Sequence, residues 1–112
     1  MLKKQFRLRK RTEFDYSFKH ASFKSNQFLT LATFKRKDKL IRIGFSVGKK
    51  IGNAVMRNRT KRQLRAIVQD GLFDLKTGVN LIFIAKEGIE NLSYEDKKNS
   101  LWELVDKCGL LK

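Results

Sequence analysis

The chain has 112 residues, of which 41% are hydrophobic and 11% aromatic, enough for one small core and too few for several domains. Lysine and arginine number 26 against 11 acidic residues, a formal net charge of +15, and such self-repulsion is typical of proteins with a polyanionic partner. No stretch approaches the roughly 18 apolar residues of a membrane span, and no apolar segment follows the basic N-terminus as in a secretory signal. One cysteine and one histidine cannot form an internal disulfide or a Cys/His zinc set. The composition therefore predicts a soluble, basic protein of a reducing compartment, with residues 1–112 forming a single domain.

The N-terminal half predicts a helix followed by two strands. Thr12 is expected to cap a helix that runs to about Ala21, with Asp15 completing the cap. The alternation of residues 28–35 predicts a strand, and residues 39–47 predict a second strand after a polar turn. One face of this second strand carries Ile41, Ile43, Phe45 and Val47, which we expect in the core, and the other carries Arg42, Gly44 and Ser46.

The C-terminal half predicts a helix, a strand and a last helix. Asn53 is expected to cap a long helix, which Gly71 ends in the left-handed conformation. Residues 79–86 are too continuously apolar for a half-exposed strand, so we expect this strand to be covered on both faces. Ser93 begins the last helix and Gly109 ends it. The order α-β-β-α-β-α predicts an α+β sandwich.

The positive charge is concentrated in residues 1–70, which carry 20 basic and 4 acidic residues, whereas residues 71–112 carry 6 and 7. Residues 39–69 hold nine basic residues and no acidic one. Residues 1–11 are also free of acids, and we expect them to form a flexible basic tail. One charged run is usually a solvated surface, but two acid-free blocks favour a polyanionic partner. Eight of the twelve aromatic residues lie among these cations, before residue 46; most are expected in the core, although rings between cations also suit single-stranded nucleic acid.

The helix expected from Ala54 to Asp70 is the clearest candidate for phosphate binding. At about 100° per residue its buried stripe contains Met56, Leu64, Ile67 and Val68. The free N–H groups at the helix N-terminus and the glycines of the preceding loop suit a phosphate group. The alternative is an amphipathic helix with a solvated face, which would normally mix glutamate with lysine. The cations outside the stripe are Arg57, Arg59, Lys61, Arg62 and Arg65.

A longer motif contains this helix. The run KKIGNAVMRNRTKRQLR, Lys49 to Arg65, resembles the signature of the bacterial ribonuclease P protein subunit family, in which an Arg-Asn-Arg helix follows a Gly-Asn-Ala-Val turn. The N-terminal basic segment, the first helix and the order of elements are similar as well. The resemblance covers essentially the whole chain.

The resemblance implies a function. The family is the protein cofactor of a ribozyme that endonucleolytically removes the 5′ leader from precursor tRNA, and its proteins are bacterial and cytoplasmic. The RNA subunit, with bound Mg²⁺, performs the hydrolysis, so this chain is expected to hold no cofactor, no metal ion and no catalytic residue. The expected partners are the catalytic RNA subunit, the 5′ leader and, for the free protein, anions such as sulfate or phosphate; no membrane is expected.

The resemblance also implies a fold and site residues. Family members have a mixed four-stranded sheet with a left-handed βαβ crossover, against the usual right-handed rule, and we expect the fourth strand near Val47 to Ile51. The leader lies in a cleft between the first helix and one sheet face. The residues expected in this cleft are Phe14, Phe18, Leu31, Arg42 and Ser46, where Leu31 replaces an aromatic residue common in relatives. The residues expected to bind the catalytic RNA are Lys49, Lys50, Asn53, Arg57, Asn58, Arg59, Lys61, Arg62 and Arg65.

Catalysis by the polypeptide alone is not expected. A protein ribonuclease needs paired acid and base groups, or carboxylates that hold metal ions. His20 is the only histidine, which excludes a two-histidine mechanism; it is either a helix-end cap or an RNA contact. The four acidic residues of the basic half show no clustered spacing. The chain would then be an enzyme only as a subunit of a ribonucleoprotein, and the alternative is a basic ribosomal or other structural RNA-binding protein, which lacks the motif.

Overall fold

Three α-helices and four strands follow one another in this computed structural model, which describes residues 2–112. Their bounds are α1 (Arg11–Lys19), β1 (Ser22–Ser25), β2 (Leu29–Lys35), β3 (Ile41–Ser46), α2 (Ala54–Asp70), β4 (Val79–Ala85) and α3 (Tyr94–Lys107). The α+β class is confirmed. Among the described residues, no helix has the length and apolar character that crossing a membrane requires.

The four strands form one mixed sheet in the order β1-β2-β4-β3. β2 is antiparallel to β1 and β4, whereas β3 and β4 run parallel, with Ile43 opposite Leu81. The parallel pair is connected through α2, so β3, α2 and β4 form a βαβ unit; its left-handed sense stays a prediction. β4 lies inside the sheet and is buried from Val79 to Phe83, which confirms that this strand is covered on both faces.

The fourth strand lies elsewhere than predicted. It is β1, which precedes β2, whereas residues 49–51 form a short 3₁₀ turn. β1 is exposed along its whole length, and as an edge strand it pairs only with β2. Because its backbone hydrogen bonds fix it with little side-chain burial, no apolar pattern marks it in the sequence. The Asn26 side-chain oxygen accepts hydrogen bonds from the N–H groups of Phe28 and Leu29, which shapes the turn into β2.

Side-chain caps are present at the N-termini of two of the three described α-helices, α2 and α3. The Asn53 side chain accepts from the backbone N–H of Met56, and the Ser93 hydroxyl accepts from that of Asp96, as predicted. The prediction for α1 is wrong: the residue before the helix is Lys10, without a side-chain cap, and Thr12 lies in the first turn.

The two faces of the sheet carry different layers. On the first face, α2 and α3 pack over a core that includes Leu31, Ile43 and Phe83. On the second face, α1 covers a smaller cluster of Leu8, Ala32 and Ile82. The predicted buried stripe of α2 needs one correction, because Met56 is 38% exposed beside Gly52 of the preceding turn. The buried residues of α2 are Thr60, Leu64, Ile67 and Val68.

The two glycines after the long helices act differently. Gly109 has φ +70°, the left-handed stop that the sequence predicts. Gly71 has φ −118°, so the left-handed prediction is wrong there. Its role is steric, because a Cβ atom on Gly71 would overlap the six-membered ring of Trp102. Glycine therefore lets the end of α2 approach α3.

The N-terminal segment packs against the core and β3, and the flexibility expected for residues 1–11 stays a prediction. Leu2 is 1% exposed in the main core, residues 4–6 form a 3₁₀ turn, and Arg7 forms a parallel bridge with Ile43. The Leu8 N–H donates to the Ile43 carbonyl over 2.9 Å. Two buried leucines thus attach a segment whose charges alone suggest solvation; Met1 lies outside the described residues.

Replacing Gly71 by Ala should lower the free energy of unfolding by about 1–3 kcal/mol, because the added methyl group forces Trp102 to move within packed surroundings. Gly48→Ala is the matched control. A Cβ atom at Gly48 meets nothing within 4 Å, so its effect should stay within about 0.5 kcal/mol. The measurement is urea unfolding of both variants, and equal stabilities would contradict the steric role of Gly71.

Candidate nucleic-acid interface

The cations of α2 and of the turn before it are not neutralised by acidic side chains. Among residues 2–112 there are three ion pairs, and all involve arginines outside this region. Arg59 and Arg62 are exposed, as are Lys49, Lys50, Asn53 and Asn58, whereas Arg57, Lys61 and Arg65 are half-buried. The expected catalytic-RNA residues therefore occupy one helix and its entry turn, but they do not all project into solvent.

Arg65 lies against the N-terminal segment and is half-buried there. It lines a cleft of about 390 Å³ together with Arg7, Phe14 and Phe45. The Nε atoms of Arg65 and Arg7 are buried, and neither has a hydrogen-bond partner. Burial lowers the pKa of the Arg65 guanidinium, and the neighbouring Arg7 lowers it further. Two neighbouring guanidinium groups therefore share this cleft without an acidic side chain to neutralise them.

Lys97 of α3 is a charged residue near this helix that the sequence analysis missed. It is 2% exposed, and its Nζ donates to the Gln63 side-chain oxygen over 2.6 Å. Burial lowers the pKa of Lys97, Arg59 lowers it as well, and Glu90 raises it. Lys97 lies four residues before Leu101 on the same helix face, which is the signal that could have located it. It adds a further positive charge behind Arg59.

Helix α1 crosses all four strands on the second face of the sheet. Its position over β3 depends on Gly44, because a Cβ atom there would lie 2.9 Å from the ring of Phe14. Phe14 thus sits directly on the backbone of β3, at the strand position between Arg42 and Ser46. The contacts in the order β3, β4, β2 and β1 are Phe14–Gly44, Ser17–Asn80, Tyr16–Phe34 and Phe18–Phe23.

The five residues expected in the leader cleft do not all come together. Phe14 and Phe18 share one flank of α1, where Phe18 is 40% exposed and meets the Phe23 ring at 5.3 Å. The prediction that Leu31 lies in the cleft is wrong, because Leu31 is fully buried in the core beneath α2 and α3, on the opposite face of the sheet. On β2 the residue that packs towards α1 is its neighbour Ala32.

Arg42 is on the other flank of α1 from the exposed Phe18 ring. Its Nη1 donates to both carboxylate oxygens of Glu13, at 3.3 and 3.2 Å. Glu13 precedes Phe14, so the ion pair and the aromatic flank are separated by α1 itself. Ser46 lies two positions beyond Gly44, on the side of Phe14 away from Arg42. Arg42 is therefore not part of one continuous cleft with Phe18.

A buried polar network joins α1 to the sheet. The Asn80 side-chain amide donates to the Ser17 hydroxyl over 2.9 Å, and its oxygen accepts from Arg36 over 2.8 Å. Arg36 also donates twice to the carboxylate of Asp38. This hydrogen bonding, together with that from the Leu40 N–H, holds the pKa of Asp38 at about 2. The pair therefore persists until the pH falls through about 2, below the usual range of the carboxyl group.

The remaining titratable groups show no metal-binding arrangement. Within residues 2–112, no three His, Cys, Asp or Glu side chains lie close enough together to hold a metal ion. His20 is the C-terminal cap residue of α1 and contacts the Tyr16 ring at 4.5 Å. The site chemistry of the described chain is thus that of cations, amides and aromatic rings.

Comparison with known proteins shows which family the chain belongs to. The sequence profile of the family described as Ribonuclease P matches residues 2–109. The chain belongs to the Ribonuclease P family. The family resemblance of the Lys49–Arg65 motif is confirmed by this match.

Two curated proteins illustrate the family relationship. The Ribonuclease P protein component of Oceanobacillus iheyensis is 42% identical over 112 residues, covering 99% of this chain and 93% of that protein. The protein of the same name from Bacillus velezensis is 41% identical over 112 residues, covering 99% and 96%. The likeness therefore extends over nearly the full length of both members of each pair.

Solved structures of Ribonuclease P proteins share the fold. The RNase P protein of Staphylococcus aureus matches with a TM-score of 0.89 at 26% identity, covering 97% of this chain and 100% of that one. The protein of Thermotoga maritima matches with a TM-score of 0.82 at 24% identity, covering 90% and 96%, which supports the fold alone.

Replacing Arg65 by Met should leave the free energy of unfolding of the free protein unchanged or raise it. The variant removes a charge that burial and Arg7 both disfavour, and it keeps an unbranched apolar stem. The measurement is thermal unfolding at low salt, with Arg62→Met as the same change at an exposed position. Leu64→Ala, at a fully buried neighbour, should lose about 2–5 kcal/mol; a comparable loss in Arg65→Met would show that Arg65 stabilises the fold.

Proposed function

We propose that the chain is the protein subunit of a bacterial, cytoplasmic ribonuclease P, the ribonucleoprotein that removes the 5′ leader from precursor tRNA. The observation that carries the proposal is the set of unpaired cations on α2, which has no acidic residue before its last residue Asp70, in a chain that belongs to the Ribonuclease P family. Unneutralised cations on a rigid helix attract a polyanion and fix its position through phosphate contacts.

In this proposal α2 binds the catalytic RNA. Exposed cations such as Arg59 and Arg62 contact phosphates directly, because their guanidinium groups can donate two hydrogen bonds to one phosphate. The half-buried Arg65 acts with Arg7 in the cleft beside β3. In the free protein, sulfate or phosphate would occupy the same positions and stabilise the fold by binding only its native form. The RNA-binding residues are Lys49, Lys50, Asn53, Arg57, Asn58, Arg59, Lys61, Arg62 and Arg65.

The flank of α1 that carries Phe14 and Phe18 is proposed to bind the single-stranded leader. Phe18 supplies an exposed ring for a base, Phe14 and Ser46 line the approach along β3, and stacking on such rings tolerates any base. Arg42 would act from the other side of α1 by phosphate attraction. Leu31 is not included, because it lies in the core on the opposite face.

Hydrolysis is assigned to the RNA subunit, whose Mg²⁺ ions supply an activated water molecule and neutralise charge at the phosphate. This chain contributes binding and orientation: its cations offset repulsion between the two RNA molecules, and the leader contact holds the substrate in position. The chain is accordingly an enzyme component only within the ribonucleoprotein.

Replacing Arg59 by Ala should weaken binding of the catalytic RNA without loss of fold, since Arg59 is exposed. The logarithm of the binding constant against the logarithm of salt concentration should lose about 0.7–0.9 of slope for one phosphate contact. Lys76→Ala is the matched control, because it removes an exposed cation from the part of the chain outside the basic half. Equal slopes for Arg59→Ala, Lys76→Ala and the unchanged protein would contradict the assignment.

Replacing Phe18 by Ala should reduce holoenzyme affinity for leader-bearing precursor tRNA by roughly tenfold or more, the loss expected for one base–aromatic stack. Affinity for mature tRNA should not change, because mature tRNA has no leader. Phe73→Ala removes an aromatic ring that is 79% exposed in another part of the molecule and serves as the control. If Phe18→Ala stays folded and keeps the full preference for leader-bearing RNA, Phe18 does not contact the leader.

A further inference from the structure

The second flank of α1 lines a groove from which the proposed function uses only Arg7 and Arg42, at one end. Residues spaced three and four apart share a helix face, and this face of α1 carries Glu13, Tyr16, Ser17 and His20. Glu13 lines two cavities, one of about 410 Å³ beside the N-terminal segment and one of about 320 Å³ beside the turn between β2 and β3. The two cavities therefore adjoin along this flank, on the other side of α1 from Phe18.

The groove contains an accessible aromatic platform. The ring of Tyr16 is 58% exposed and meets the ring of Phe34 edge-on at 5.5 Å. On its other side Tyr16 contacts the His20 ring at 4.5 Å. Because neighbouring rings already hold the Tyr16 ring on two sides, it loses little conformational entropy when a planar partner stacks on it.

The floor beside this platform is rigid and polar. Asn80 and Ser17 are 3% and 1% exposed, and they connect β4 to α1 by a direct hydrogen bond. Asn80 in turn accepts from Arg36, whose Nε and Nη2 donate to the Asp38 carboxylate. The network fixes the separation between α1 and the sheet on this flank.

The groove carries an excess of positive charge. Its two acidic residues, Glu13 and Asp38, are already paired with Arg42 and Arg36. The cations that line it without an acidic partner are Lys4, Arg7, Arg9, Lys10, Lys35 and Lys37. An acidic peptide would match the charge, but it offers a ring for Tyr16 only where it happens to carry an aromatic residue, whereas every nucleotide carries a planar base. A nucleic-acid strand supplies both a phosphate chain and stacking bases.

We propose that this groove binds a second segment of single-stranded RNA, separate from the leader cleft on the Phe14–Phe18 flank. A base stacks on Tyr16 beside Phe34, and the flanking phosphates lie among the lysines of the β2–β3 turn and the cations of the N-terminal segment. The proposal goes beyond the function proposed above, because it gives the free protein two single-strand sites, one on each flank of α1.

The test uses the free protein and a single-stranded RNA of about six nucleotides, within the range of known site sizes. Calorimetry and fluorescence anisotropy measure stoichiometry and affinity for the unchanged protein, Tyr16→Ala, Phe18→Ala and the double variant. These substitutions leave the net charge unchanged, so non-specific attraction is constant. Tyr16→Phe keeps the ring and should bind as the unchanged protein does, and Phe73→Ala is the control for loss of an exposed ring elsewhere.

The expected result is two RNA molecules per protein, with each single variant weakening one site by about fivefold to a hundredfold and leaving the other intact. Unchanged affinity and stoichiometry in Tyr16→Ala would overturn the proposal. So would a single site that both variants weaken non-additively, because that result means one continuous groove. Neither of these two results would contradict the proposed function, because that function is tested separately by precursor-tRNA cleavage with the holoenzyme.

A holoenzyme experiment identifies the source of the second strand. Tyr16→Ala is compared on precursor tRNAs with leaders of about five and about twenty nucleotides. A defect confined to the long leader means that the leader continues around α1 into this groove. A site that is lost in the free protein, with equal holoenzyme binding of both leaders, means that another RNA occupies it.

Discussion

The parallel pairing of β3 with β4 is the constraint on which the arrangement of this molecule depends. Parallel neighbours cannot be joined by a tight turn, so the chain must cross the sheet between them. The crossing element is α2, which buries Leu64, Ile67 and Val68 against the first face. The basic helix is thereby fixed to the most deeply buried strand of the sheet. The backbone positions of its cations therefore cannot move apart to relieve their repulsion without disrupting the core.

The repulsion has a consequence for stability. Burial and like charge both disfavour the charged form of Arg65, and Lys97 is buried near Arg59. The apolar core holds these groups together, and any bound polyanion relieves them. Because salt screens exposed charges more than buried ones, general screening reaches Arg59 and Arg62 before it reaches the Arg7–Arg65 cleft. If these residues bind RNA as proposed, stability and binding oppose one another at the same positions, as is common at functional sites.

The sequence was sufficient for the parts of the fold that local interactions determine. Asn53, Ser93 and Gly109 act through residues within one turn, and the apolar run of β4 could only be an interior strand. β1 was missed because an exposed edge strand has no burial pattern, and the role of Gly71 depends on Trp102, which is distant in sequence. Leu31 was placed in the cleft by the family resemblance alone, and because β2 is covered on both sides, no apolar pattern in its sequence could correct the face.

In the candidate site, too, local features could be predicted from the sequence and long-range contacts could not. The cations of α2 follow from the motif, and their exposure follows from helical spacing except at Arg57, Lys61 and Arg65, which are half-buried. The N-terminal segment lies beside Arg65. The separation of Arg42 from Phe18 could not be predicted, because it depends on how α1 crosses the strands. The Asn80–Ser17 contact joins residues 63 positions apart, and no local pattern in the sequence marks it.

The close contact between Phe14 and the backbone at Gly44 means that α1 cannot move on one flank without moving on the other. Because no side chain separates Phe14 from β3, the helix rests on the sheet backbone at this point, and both grooves have the same helix as one wall. An RNA strand that binds in one groove and displaces or tilts α1 would change the width of the groove on the opposite flank. Any resulting coupling free energy is reciprocal, so occupancy of either groove changes the affinity of the other by the same factor. If both grooves bind RNA as proposed, the absence of a side chain at Gly44 would couple the two sites through a single helix.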